Sequence, residues 1–265
     1  MLKAILYYIL LIAEFVVTLI IAGLATGVYF AFAAQNGTNY PHQTDIERIA
    51  IPMVAFFTLL SGLFVWFTFS HYKFSKFSLG KVQPAAKWKA MLYATLPILG
   101  FTLAFYASMN LFHIDFMPKE ITQMTFVTWL PSALVGSFFS AYVFYGAIQE
   151  ELIRCGKKLW VQMLTLCLMM LPACLMVVTK NGDISAHFTI LGMISTIYAC
   201  WVYQKTRSTI VLLVVYFIPN LTPSAITSTP LCIILLAVGA IMTISSWIIL
   251  QKNMPKMLLS EDENE

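Results

Sequence analysis

The sequence predicts an all-α polytopic membrane protein with about eight transmembrane helices. Three observations carry that reading: a charge-poor composition, a series of helix-length apolar stretches, and a lopsided distribution of cations. Of the 265 residues, 60% are apolar and only 11% are charged, and the mean hydropathy is +0.81. Soluble domains carry roughly 25% charged residues. A chain with less than half that share cannot cover a water-facing surface, which excludes a soluble enzyme, a nucleic-acid binder and a disordered protein.

A membrane-crossing helix needs about 20 largely apolar residues. The first apolar stretch covers residues 4–34. It is too long for the apolar region of a cleaved leader, roughly 7 to 15 residues, and is read as a span. Further stretches follow at 51–69, 88–112, 124–151, 159–178, 187–203, 208–220 and 230–250. The seventh is short because Pro219 and Pro223 break it. An even number of spans places both termini on one side. Thirteen of the 16 Lys and Arg residues then fall on that side, leaving Arg48, Lys119 and Lys180 on the other. Cations mark cytoplasmic loops, so both termini are expected in the cytoplasm, as in a bacterial-type inner or plasma membrane.

An ionisable group at membrane depth costs on the order of 3 kcal/mol and is a functional candidate by default. Glu14 lies about ten residues into the first span. Its bland reading is a hydrogen-bonded side chain that fixes a helix contact. Gln149-Glu150-Glu151 with Arg154 closes the fourth span. Glu150 and Arg154 are four apart and share a helix face, so the bland reading is an ion pair near the headgroups, worth little. Tyr216 and Asn220 share a face of the seventh span, with ordinary interhelical hydrogen bonding as the bland reading.

Other chemistry is poorly represented. His42, His71, His113 and His187 have no ligand spacing, and no HExxH occurs. Cys155, Cys167, Cys174, Cys200 and Cys232 form no CxxC pair, so no metal site and no disulfide is expected. Nucleotide-binding motifs do not occur, and neither nucleic acid, nucleotide nor cofactor is an expected partner. Asn36-Gly-Thr38 reads as a turn, and the acidic tail from Glu261 to Glu265 as a solvated end without a C-terminal Cys-a-a-X motif.

Gln149-Glu-Glu-Leu-Ile-Arg154 and the run from Lys205-Thr-Arg-Ser208 to Tyr216-x-x-x-Asn220 together resemble the CAAX protease and bacteriocin-processing family (CPBP, or Abi) of intramembrane proteases. That family carries Glu-Glu-x-x-x-Arg on one helix and Phe-x-x-x-His on the next. Two helices later it has His-x-x-x-Asn, after a stretch like Arg-Thr-Gly-Ser-Leu. Ser78-Leu-Gly-Lys81 and Trp88 are similar to the leucine-glycine segment before the family's core. The likeness covers residues 75–225, preceded by a two-span segment, 1–74, and followed by the last span and acidic tail, 226–265.

The resemblance implies a Glu that activates water and histidines that hold it or protonate the leaving group. Aligned on Arg154, the first Glu falls on Gln149 and the second on Glu150; with the pair read as Glu150-Glu151, Arg154 comes one residue early. The fifth span has no His, and Tyr216 stands at the third-motif His. A Gln cannot act as general base, and a Tyr with an ordinary pKa near 10 does not exchange protons as a His does at pH 7. Glu150 reaches the base position only if its helix turns by about 100°. The expected function is therefore that of a catalytically degenerate member, with Gln149, Glu150, Arg154, Tyr216 and Asn220 as site residues. It would bind a peptide or membrane partner without cleavage, in immunity, peptide handling or regulation. Two alternatives remain: an active intramembrane endopeptidase using Glu150, and a transporter with Glu14 as its coupling group.

Overall fold

The computed structural model describes residues 2–35, 78–113, 126–175, 186–220 and 229–259. The expected second span at 51–69 lies outside these residues, as do His42, His71, Arg48, Lys119, Lys180 and the acidic tail. The described chain is helical. Helix α1 covers Leu2–Gln35, and a 3-10 turn, Pro84–Ala86, leads into α2, Lys87–Leu111. Helix α3, Phe126–Phe139, continues through a π-helix, Ser140–Gln149, into the short α4, Glu150–Arg154. Then come α5 (Leu159–Leu175), α6 (Ala186–Thr206), α7 (Thr209–Asn220) and α8 (Thr229–Met257).

Lipid offers the backbone no hydrogen-bond partner, so a spanning segment must satisfy its own amides as a helix. Among the described residues, Pro84–Leu111, Ala186–Thr206 and Thr229–Met257 are long and apolar enough to cross a membrane. Helix α8 shows how such a helix divides its surface. Ile233, Ile234, Ile241, Ile244 and Ile248 are exposed, whereas Gly239 and Ser246 are buried. The bulky face suits lipid and the small face packs inward.

That small face meets α2. A Cβ added to Gly239 would lie 2.7 Å from the Gly100 carbonyl oxygen and the Ala104 amide nitrogen, and one added to Gly100 would lie 2.8 Å from the Thr243 amide nitrogen. The two backbones touch because neither helix carries a side chain there. Hydroxyls bind other helices to the bundle: Tyr198 donates to the Ala94 carbonyl at 2.5 Å, and Tyr8 to the Met169 carbonyl at 2.7 Å.

The π-helix forms the centre of the core. Tyr142, Tyr145, Ala147, Ile148 and Gln149 on it are all buried, and it packs against α1 and α7. The apolar pattern of 124–151 reads as one continuous α-helix; the observed wide turns change its register. A π turn acts as a residue inserted into the α register and rotates the downstream residues by about 100°.

At the Thr209 end of α7, a knot of hydrogen bonds ties distant segments together. Ser78-Leu-Gly-Lys81 lies against the elbow between α6 and α7. The Lys81 amide donates to the Thr206 carbonyl at 2.7 Å. Ser208 Oγ donates to the Ser78 carbonyl at 3.0 Å, and the Ser78 amide to Thr209 Oγ1 at 3.0 Å. The end of α8 joins them through the isolated antiparallel bridge between Val82 and Leu258, with the Leu259 amide on the Lys81 carbonyl at 2.7 Å.

Candidate functional site

Residues 78–81, α4 and the α6–α7 elbow meet at this knot. Helix α4 presents Glu150 to the α6–α7 elbow. Glu150 Oε2 accepts from Arg207 Nη1 at 2.7 Å and from the Tyr203 hydroxyl at 3.1 Å. Glu150 Oε1 lies 3.5 Å from Arg154 Nε. The Arg154 side chain is 69% exposed, against 24% for Arg207 and 23% for Glu150. The expected i, i+4 pair with Arg154 is therefore present, and the shorter, better-shielded contact is with Arg207. Arg207 reaches Glu150 from a residue with φ +51°, a backbone state unusual for a side-chain-bearing residue.

Gln149 takes the other direction, into the bundle. It is wholly buried. Its Nε2 donates to Gln162 Oε1 and to the Cys200 carbonyl, both at 2.9 Å, with Cys200 Sγ at 3.1 Å. Gln162 is held in turn by donating to the Lys157 carbonyl at 2.7 Å. Gln149 Oε1 has no partner among the described residues. This environment favours an amide. An ionised carboxylate at residue 149 would face the fixed Cys200 carbonyl oxygen, and acceptor against acceptor is repulsive. Gln149→Glu is expected to lower stability by about 2 kcal/mol through an unsatisfied buried group. Thermal melting in detergent checks this, and an unchanged midpoint contradicts it.

Tyr216 and Asn220 lie further along α7 and make interhelical contacts, as their bland reading expects. The Tyr216 and Tyr145 hydroxyls are hydrogen-bonded at 2.5 Å, and the Tyr145 hydroxyl also reaches the Thr196 carbonyl at 3.4 Å. Asn220 Nδ2 approaches Ser137 Oγ at 3.4 Å. The ring of Tyr145 sits between those of Tyr216, 5.8 Å away, and Tyr203, 6.3 Å away. A row of phenols thus separates Glu150 from Tyr216.

Beyond Tyr216 a partly open cavity of about 240 Å³ lies among α2, α3, the π-helix, α5, α6 and α7. Its polar lining comprises Thr102, Tyr106, Ser140, Ser195, Tyr216 and Asn220, set among apolar groups such as Ile98 and Phe188. None of the lining residues is a carboxylate, an imidazole or an amine. Glu150, Gln149 and Arg154 are not among them. The five expected site residues therefore divide: Tyr216 and Asn220 at the cavity, Gln149 in the core, Glu150 and Arg154 at the knot.

Sequence reasoning missed Arg207, Tyr203, Tyr145 and Gln162 as partners of these residues. Only Arg207 had a signal, as the cation inside Lys205-Thr-Arg-Ser208. Glu14 lies on α1, but its side chain is outside the described ones. No family model, curated protein or solved structure matches the chain.

Proposed function

We propose that this chain is an eight-span membrane protein with both termini cytoplasmic. In this reading it is a catalytically degenerate relative of the CAAX-protease-like family, and its cavity binds a peptide or membrane partner without cutting it. The observation that carries the reading is the separation of Glu150 from the cavity. A general base must lie within hydrogen-bond reach of the attacking water, directly or through one more water. Glu150 is instead committed to Arg207, Tyr203 and Arg154. The cavity offers neutral hydroxyls and one amide, which suit orienting an uncharged, amphipathic chain segment.

Gly136 supplies the test. It lines the cavity, and a Cβ added there meets no atom within 4 Å. Gly136→Leu therefore fills space without displacing backbone and removes a mid-helix glycine, so the fold is expected to be retained. Membrane fragments from cells with and without the chain would be compared by mapping polypeptide termini, and molecules co-purifying with the chain by mass spectrometry. The expected result is no chain-dependent terminus, together with a co-purifying species that Gly136→Leu depletes at least tenfold. A chain-dependent terminus that vanishes in Glu150→Gln would overturn the reading in favour of proteolysis. Equal co-purification with Gly136→Leu would remove the cavity as the binding site.

A further inference from the structure

A second pocket, unrelated to the motif residues, lies where α2 begins and α8 ends. Gly100 and Gly239 hold these antiparallel helices in backbone contact further along. Toward the knot, residues of both helices line a pocket of about 330 Å³. Lys89 and Tyr93 line it from α2, Asn253 and Lys256 from α8, and Gln83 from the segment leading into α2. No carboxylate lines it, so the pocket presents two cations and several neutral donors.

Its level relative to the membrane is set by aromatic residues. Trp88, next to Lys89, is 72% exposed, and Trp160, at the start of α5 at the same end of the bundle, is 64% exposed. Lys87 Nζ lies 5.5 Å from the Trp88 ring centre. Exposed tryptophans with adjacent lysines belong at the headgroup level. Lys89 and Lys256 are exposed, and each stands on a helix long and apolar enough to cross a membrane. A basic pocket between such helices at that level is complementary to a phosphodiester with acyl chains running down the adjacent helix faces. The lipid-side faces are apolar, with Leu92 of α2 and Ile248 and Ile249 of α8 exposed.

We propose that this pocket binds the phosphate headgroup of an anionic phospholipid, with Lys89 and Lys256 on the phosphodiester and Gln83, Tyr93 and Asn253 as neutral donors. Occupancy would tie the start of α2 to the end of α8. The proposal does not depend on what the inner cavity binds.

The test uses the full chain in detergent, with equimolar phosphatidylglycerol and phosphatidylcholine, read by native mass spectrometry. Phosphatidylglycerol adducts should exceed phosphatidylcholine adducts. Lys89→Gln and Lys256→Gln should each weaken phosphatidylglycerol binding about fivefold, and the double variant about thirtyfold. Lys158→Gln and Lys205→Gln, at the same end of the bundle but not lining the pocket, should leave it unchanged. The double Lys→Arg variant should retain binding, which keeps the test valid if the double Gln variant folds poorly. Millimolar inorganic phosphate should not displace the lipid. Equal adducts of the two lipids, undiminished binding in a folded double Gln variant, or loss of binding in the folded double Arg variant would each overturn the proposal. Displacement by inorganic phosphate would do the same, by assigning the pocket to a soluble anion.

Discussion

Gly80→Ala is expected to destabilise the protein by about 3 kcal/mol, the larger of two glycine effects that share one backbone conformation. Gly80 has φ +60° and Gly156 has φ +67°. A left-handed residue with a Cβ costs about 1–2 kcal/mol, so both substitutions carry that penalty. Only Gly80 is also crowded. A Cβ there would lie 2.2 Å from the Arg207 carbonyl oxygen and 2.5 Å from that of Thr206. Both neighbours are backbone, so no rotamer change relieves the overlap, and prying the two segments apart adds about 1–3 kcal/mol. It would also lengthen the bond from the Lys81 amide to the Thr206 carbonyl. At Gly156 a Cβ meets nothing within 4 Å, so Gly156→Ala should cost only about 1 kcal/mol. Equilibrium unfolding of the two variants in mixed micelles checks the difference. Equal destabilisation would mean that the knot does not hold Gly80 against the elbow.

Glu150→Ala should cost nearly as much, about 3 kcal/mol, while Arg154→Ala should cost about 0.5 kcal/mol or less. The two arginines differ in shielding. Arg154 is mostly exposed and its contact is long, so water and salt screen it. Arg207 is three-quarters buried, and its Nε already has no partner among the described residues. Removing Glu150 leaves that guanidinium uncompensated and also strips the Tyr203 hydroxyl of its acceptor. Melting curves of Glu150→Ala, Arg207→Ala and Arg154→Ala check this order, with the first two expected to lose far more stability than the third. A large loss confined to Arg154→Ala would contradict the assignment.

How much of this is legible in the sequence depends on which forces are local. Apolar windows of helix length betray helices directly, because lipid penalises every exposed amide. The stretch at 88–112 matches α2, Lys87–Leu111, and 208–220 matches α7, Thr209–Asn220, within a residue or so. Helix α8 runs on to Met257, beyond the apolar stretch ending at 250, and its end packs on the segment around Val82 and Gln83, a contact that apolar length does not report. The Glu150–Arg154 pair is legible from its spacing alone. The stronger partner, Arg207, stands 57 residues away on another element, and no periodicity encodes that contact. The π-helix is equally hidden, since the apolar pattern of 140–149 fits an ordinary helix. It sends Gln149 inward and Glu150 to the elbow, so the division of the five expected site residues could not be read from motif order. The second span at 51–69 lies outside the described residues.

The central proposal is that Glu150 clamps the helix ends through Arg207 and Tyr203. Its most direct test is the melting temperature of Glu150→Gln. Active sites are commonly strained, and neutralising a catalytic carboxylate often leaves stability unchanged or raised. A clamp behaves in the opposite way: the amide keeps the shape but loses the charge that Arg207 needs, at about 1–2 kcal/mol. We expect the midpoint to fall by about 5 °C, and to fall much less when Arg207 has already been replaced by Gln. A midpoint that holds or rises in Glu150→Gln would contradict the clamp and return Glu150 to the catalytic candidates.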